Sequence, residues 1–415
     1  MDKSRNIFIL ATILFLSILF SYIILEDTLG GSKQDFIFHE KFVILFAEDF
    51  KNTFRDYGKG ELFARNSPIF YIVLSFIYKS GVELDKIKYL NIISIPLLIY
   101  LFYSCLKIKF KSINKNLLIF LSFIVLLSPT VRSLVVWPYP ILYGFIFFLF
   151  SIKFYLKFEN EKKTKLKNAL QNTFYLALAS YVTPNFSVFA IFFLYKFFLK
   201  FNISKNFFYI IILNCLLATP AFIYYFINDF YFFEVTVREI DLNVKLNFFN
   251  KIVIILSLIF FYYIPLLNRE IIRKLLNSLK EINKHYVLIL FFLISVYFFN
   301  FPSGNFGGGI FYHLSQFIFD NNIIIFVVFF LAILLFKEAK LINFNNLLIF
   351  FCLILYNLQV SIYHKYFDPL LLFIILFLIS NNKIINKKVF IEITKKYYFL
   401  YIIFLGLSFY KVIFL

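Results

Sequence analysis

The sequence predicts an all-α polytopic membrane protein of about 13 transmembrane helices, with amphipathic juxtamembrane helices in its first outer loop. Three observations carry that prediction. Of 415 residues, 61% are hydrophobic and the mean hydropathy is +0.83, more apolar surface than a soluble domain can bury beneath a polar shell. Apolar runs close to the ~20 residues needed to cross a bilayer recur along the chain. Basic residues gather in the short loops between them, as the positive-inside rule requires of cytoplasmic loops.

In chain order, the first span is 7–25. No small-residue cleavage site follows it, so it reads as a retained helix and not a signal peptide. The polar loop 26–67 comes next and holds eight of the chain's 23 acidic residues. Residues 68–78, PIFYIVLSFIY, are apolar but fall below the ~17 residues of a crossing, and read as juxtamembrane within an extracytoplasmic region 26–88. Spans 89–106, 117–136 and 139–156 follow, the last two divided by the turn Trp137-Pro138-Tyr139-Pro140. Spans 173–182 and 186–198 join at Thr183-Pro184-Asn185, where proline cannot continue a helix. Spans 207–227 and 252–267 flank a second acidic loop. Spans 286–301, 323–336, 342–360, 370–380 and 397–415 complete the chain. No repeat or linker is visible, so 1–415 reads as a single transmembrane domain with no separate soluble domain.

Charge assigns the sides. With 68–78 kept out of the count, loops on the Met1 side carry 27 Lys and Arg against seven Asp and Glu, and the opposite loops carry 15 against 16. This puts the N-terminus in the cytoplasm and the C-terminus outside a membrane that reads as the bacterial cytoplasmic membrane. The net charge of +19 then needs no nucleic acid to explain it. The 65 Phe and 29 Tyr, beside one Trp and one Met, follow an A/T-rich codon bias more simply than they form aromatic boxes. Cys105, Cys215 and Cys352 stand inside apolar spans at unrelated spacings, and suggest neither a disulfide framework nor a metal site. No ligand set for a divalent metal stands out, and the cofactor is left unassigned. Nucleotide-binding signatures, GxxxxGK[ST] and GxGxxG, are absent.

Chemistry is therefore sought on the outer face. Asp35 and His39 are four apart and share a face if FIFHEKFVILFAEDF is helical. Phe38, Phe42, Leu45, Phe46 and Phe50 give that segment an amphipathic pattern suited to the membrane surface. A carboxylate held there can act as general base, or the loop's acids can serve only to solvate it. Arg132, in SPTVRSLVVWPYP, lies inside an apolar span and must face the bundle interior or snorkel to the interface. YHKYFDP gathers His364, Lys365 and Asp368 between tyrosines at an outer turn, either a pocket edge for phosphate or an interfacial belt. Gly304, Gly307, Gly308 and Gly309 form either a flexible turn or an anion-binding nest. Trp137 reads as an interface anchor before a sugar-stacking platform.

The layout resembles the GT-C superfamily of membrane glycosyltransferases, which includes protein O-mannosyltransferases and lipid A aminoarabinose transferases. The resemblance rests on an early outer-loop acid in GGSKQDFIFH, the juxtamembrane segment NSPIFYIVLSFIY, the Arg-containing third span RSLVVWPYP, and the late turn HKYFDP. It implies a polyprenyl-phosphate-linked sugar donor and a lipid or glycan acceptor, in contact with membrane lipids and without nucleic acid. It also implies Asp35 as catalytic base, with His39, Arg132, His364 and Lys365 binding substrate. The family's paired acids are absent at Asp35, whose neighbours are Gln34 and Phe36; Glu48-Asp49 is the nearest pair. Two other classes fit a polytopic chain: a polymerase or ligase of lipid-linked saccharides, and a transporter or flippase built on broken helices.

Overall fold

The computed structural model describes residues 3–28, 31–59, 62, 66–161, 163–227, 247–302, 307–357, 359, 361–380 and 387–414. Its regular structure is helical, and among the described residues the one extended pairing is a parallel bridge between Gly307 and Ile362. Contacts divide the chain into two compact units, Met1–Thr236 with Asn386–Leu415, and Val237–Ile385.

The first unit opens with α1 (Lys3–Ile23), which ends where Leu25 turns to positive φ and Glu26 N–H bonds back to the Ser21 carbonyl. The acidic loop is itself helical. It forms α2 (Ser32–Glu48), α3 (Phe50–Asp56) and α4 (Ile69–Lys79). α2 buries Phe36, His39, Phe42, Val43 and Phe46, a stripe at helical spacing; Phe42, Val43 and Phe46 pack with Tyr57, Phe70, Tyr71 and Leu74, His39 stacks on Tyr71, and Phe36 packs on Val136 and Trp137. Of the residues expected on a face for the membrane surface, Phe38 and Phe50 are exposed, whereas Phe42 and Phe46 are buried in the packed stripe that carries His39. α4 has 11 residues, about 16 Å of helix, and is too short to cross a bilayer. By length it is no crossing segment, as expected for 68–78.

The unit continues through α5 (Leu84–Lys109), α6 (Lys115–Ser122), a 3-10 turn (Phe123–Leu127), α7 (Pro129–Val136) and α8 (Pro140–Asn160). The expected span 117–136 is not straight: it bends by 66° between Leu127 and Pro129. Ser128 takes an extended backbone there and its Oγ caps the Val131 N–H at 3.1 Å, so proline starts a new helix. α9 (Lys165–Val182), a 3-10 turn (Pro184–Val188), α10 (Phe189–Phe201) and α11 (Lys205–Ile227) follow, with the break at Thr183 as expected.

The second unit contains α12 (Phe248–Tyr263), α13 (Arg269–Lys280), α14 (Tyr286–Tyr297), α15 (Gly309–Phe319), α16 (Ile323–Glu338), α17 (Phe344–Tyr356) and α18 (Leu370–Phe377). All eight residues of α18 are buried, and at about 12 Å it is an internal helix too short to cross. α19 (Lys387–Phe414) returns to the first unit, where Tyr398 donates to the Phe120 carbonyl at 2.6 Å.

The chain is thus a helical protein with the segments of a membrane protein. Among the described residues, five helices are long and apolar enough to cross a membrane, or six if the bent pair is one span. The first five are Leu84–Lys109, Pro140–Asn160, Pro184–Phe201, Lys205–Tyr224 and Phe248–Leu266.

Candidate functional site

The residues picked from the sequence fall in both units. In the first, Arg132 stands one turn into α7 and faces inward. Its guanidinium meets Glu26 as a fork: Nε donates to Oε1 at 2.8 Å and Nη2 to Oε2 at 2.7 Å. Nη1 donates to Ser17 Oγ at 3.0 Å and Nη2 to Ser21 Oγ at 2.5 Å. Both side chains of the ion pair are almost wholly enclosed, at 6% and 1% exposure. The snorkelling alternative is therefore excluded, and the cation expected to hold a phosphate is occupied by the carboxylate at the end of α1. The same corner holds Trp137, whose Nε1–H donates to the Glu26 carbonyl at 3.1 Å while its ring packs on Phe36. It is a buried tie between α1 and α2, neither a surface anchor nor a sugar platform.

Asp27 then sets the start of α2. Its carboxylate accepts from the backbone N–H groups of Gly31, Ser32 and Lys33 at 2.9–3.1 Å. An acid at a helix N-terminus satisfies orphan donors and complements the helix dipole. Gly31, at φ +117°, makes the turn into the helix. This places Asp35 in the first turn, half-buried, and His39 one turn later on the same side.

His39 is buried, and its ring stacks on Tyr71 at 5.1 Å. Its Nε2 lies 3.3 Å from Asn66 Nδ2, which is also 3.1 Å from Tyr71 Oη and 3.3 Å from Tyr139 Oη. Two amide hydrogens serve three neighbours, so Asn66 is a shared hub. The Asn66 backbone carbonyl accepts from Tyr57 Oη at 2.8 Å. Burial raises the Tyr57 pKa well above its ordinary value, with Tyr224 and Tyr139 adding to the shift, and so keeps the hydroxyl a donor.

Asn66 and Tyr57 also border a cavity of about 810 Å³. The outer loop closes one side with Ser67 and Pro68, and α9 and α11 form the walls. The space has a sequence cause. Thr173, Ala177 and Ser180 on α9, and Asn214, Ala218 and Ala221 on α11, recur at i, i+4 and i+7 and all line the cavity. Small side chains on those faces leave the gap unfilled. Among the described residues that line it there is no Asp, Glu, Lys, Arg or His; their polarity comes from amide and hydroxyl groups. Asp35 and Arg132 do not line it, while His39 reaches its border through Asn66. Sequence reading missed Asn66, Tyr57 and both walls, although the paired stripes of small residues were a usable signal.

In the second unit the structure joins two motifs that the sequence left separate. Gly308 N–H donates to the Ile362 carbonyl at 2.9 Å, which ties the glycine loop to the segment before HKYFDP. Gly307 is at φ +91°, and a Cβ there would fall 2.3 Å from the Ile362 oxygen. The glycine is thus a close approach of two backbones, not a loose turn. Gly304 lies outside the described residues. His364 Nε2 is 3.0 Å from Tyr262 Oη, and a Cβ on Gly309 would meet Leu258, so both segments pack on the C-terminal half of α12. They enter the depth of a helix long enough to cross a membrane, where non-helical backbone is tolerated only inside protein or beside a cavity. Burial pushes the His364 pKa down to about 3, with His313 adding to the shift, so the imidazole is neutral near pH 7. Lys365 Nζ sits over the rings of Tyr363 and Tyr366 at 5.4 and 5.9 Å.

Among the described residues, no group of three or more His, Cys, Asp or Glu side chains is gathered to hold a metal. No family model, curated protein or solved structure matches the chain.

Proposed function

We propose that this chain is a membrane glycosyltransferase that takes a sugar from a polyprenyl-phosphate-linked donor and passes it to a lipid or glycan acceptor on the extracytoplasmic face. The observation that supports the reading most is the 810 Å³ cavity bounded by the folded first loop and by α9 and α11. Its size suits an organic ligand, and among the described residues its walls carry no charged side chain and its polar groups are amides and hydroxyls. That chemistry suits a prenyl chain, and leaves the phosphate and sugar at the loop. The excess of Lys and Arg on the Met1 side, 27 against 15, supports placing that loop outside the cell.

In this reading Asp35 takes the proton of the acceptor hydroxyl or amine, and the freed electron pair attacks the anomeric carbon. The bond from that carbon to the phosphate oxygen breaks, and polyprenyl phosphate departs with inversion at the carbon. His39, one turn along α2, orients the acceptor beside Asn66. Arg132 acts through Glu26, holding the corner from which α2 starts, and is a positioning residue.

The test is transfer of labelled sugar from the polyprenyl-phosphate donor in membranes of a deletion strain. The wild-type chain is expected to restore transfer. Asp35→Asn is expected to lower it by 10²-fold or more, on the order of the contribution of a general base. Full activity of Asp35→Asn removes Asp35 as the base, and unchanged surface glycans in the deletion strain remove the transferase reading.

One specific feature favours a second reading. The 66° break between Leu127 and Pro129 is the kind of discontinuous helix on which transporters build substrate sites. Accessibility of a cysteine placed at Ala177 separates the two. Access from one side only favours the transferase, and access that alternates between sides favours transport.

A further inference from the structure

The helix α13 begins two residues after the apolar stretch Phe248–Leu266 ends, and another apolar helix, Tyr286–Tyr297, begins soon after it. Apolar helices thus flank it at both ends. Its sequence, REIIRKLLNSLK, cannot enter the bilayer core: Arg269, Glu270, Arg273, Lys274 and Lys280 fall within 12 residues. Asn268 caps the helix through Ile271 N–H at 2.8 Å, so the turn from span to surface helix is sharp.

Around the helix the side chains separate into three strips. Leu275 and Ser278 are buried, and Ser278 Oγ donates to Glu338 of α16 at 2.8 Å, which fixes the rotation of the helix. Lys274 pairs with Glu270 at 2.5 Å on a flank away from the exposed apolar strip. The remaining strip carries Ile272, Leu276 and Leu279, exposed at 44%, 54% and 36%. Arg269, Arg273 and Lys280 stand exposed along its edge at helical spacing.

We infer that α13 lies in the membrane plane and that this strip docks on anionic lipid headgroups. Ile272, Leu276 and Leu279 enter the acyl boundary, and Arg269, Arg273 and Lys280 meet the headgroup phosphates. The commitment to lipid rests on continuity with the flanking apolar helices and on a positive edge beside an apolar face. It does not depend on the transferase reading.

The test uses the full chain with Leu276→Cys carrying a nitroxide, in a Cys215→Ser background. It is reconstituted in vesicles of phosphatidylcholine alone or with phosphatidylglycerol. The label is expected to be relaxed more by oxygen than by a water-soluble nickel chelate, and phosphatidylglycerol is expected to lower chelate access further. Each basic side chain near an anionic surface contributes roughly fivefold to the attraction. Reversing three of them (R269E, R273E, K280E) is therefore expected to abolish the phosphatidylglycerol effect, and high salt to weaken it in the unreversed protein, whereas Lys274→Gln leaves it intact. Chelate access that is high in every vesicle would overturn the inference, because the strip would then face water, as a docking face for a soluble protein does. An oxygen-favoured label insensitive to phosphatidylglycerol and to salt would overturn the headgroup part. Salt dependence of the unreversed protein keeps the test decisive even if the triple variant fails to fold.

Discussion

Arg132 and Glu26, 106 residues apart, share two short parallel hydrogen bonds at the point where α1 gives way to the first loop. The pair fastens α7 to the end of α1, and Asp27, the next residue, caps α2. Each partner is buried, so neither is neutral to lose. Glu26→Gln or Arg132→Met is expected to destabilise the first unit by about 3–5 kcal/mol, since each leaves a charge enclosed without its partner. The double variant Glu26→Met/Arg132→Met is expected to recover much of that loss. Unfolding of the purified chain in mixed micelles measures both. A loss in the double variant equal to the sum of the two single losses would show that the two side chains contribute independently.

The neutral His364 gives a pH dependence with a definite sign. Its folded pKa is lowered to about 3, below the ordinary value of 6.5 that it has when unfolded. Between those values the unfolded chain binds the extra proton, so stability rises with pH and levels off above about 6.5. Acidification from pH 6.5 toward 4 is therefore expected to lower the midpoint of thermal unfolding. His364→Gln is expected to flatten that part of the profile by up to about one proton. An identical slope in the variant would assign the acid sensitivity to other groups.

Gly307 is expected to tolerate no side chain. A Cβ would meet the Ile362 oxygen at 2.3 Å, and the φ of +91° is itself costly for an L residue. Gly307→Ala should cost at least about 1–3 kcal/mol. Hydrogen exchange at the Gly308 amide, bonded to that same oxygen, gives a local readout. Unchanged exchange in the variant would mean that the contact opens freely.

How much of this was legible beforehand follows from the range of the forces involved. Apolar runs and the breaks at Thr183 and Pro68 are local properties, and the helices α4, α9 and α11 were readable from them. The face of α2 was half readable. His39 shares a side with Asp35 as the spacing required, but Phe42 and Phe46, read with Phe38 and Phe50 as a face for the membrane surface, are buried, because several faces of α2 are apolar and only Tyr57 and Tyr71 select the packed one. The partner of Arg132 could be required but not named, since nothing in SPTVRSLVV points to a glutamate 106 residues away in the loop after α1. α18 was counted as a span from an 11-residue apolar run, the same length that kept 68–78 out of the count. Burial on all sides explains its composition as well as lipid does. The glycines 307–309 showed that special backbone was needed, and only the approach to Ile362 shows why.

The central claim is that the cavity between the first loop, α9 and α11 takes the prenyl chain of a lipid-linked donor. Photo-crosslinking tests it directly, with a polyprenyl-phosphate sugar carrying a diazirine on its chain and the purified full-length protein. The expected result is labelling on α9 and α11, at residues such as Leu176 and Cys215, that is competed by unlabelled polyprenyl phosphate. Ala177→Trp, which projects an indole from α9 into the cavity, is expected to reduce the labelling. Labelling confined to residues outside the cavity, or unaffected by Ala177→Trp in a folded protein, would contradict the claim.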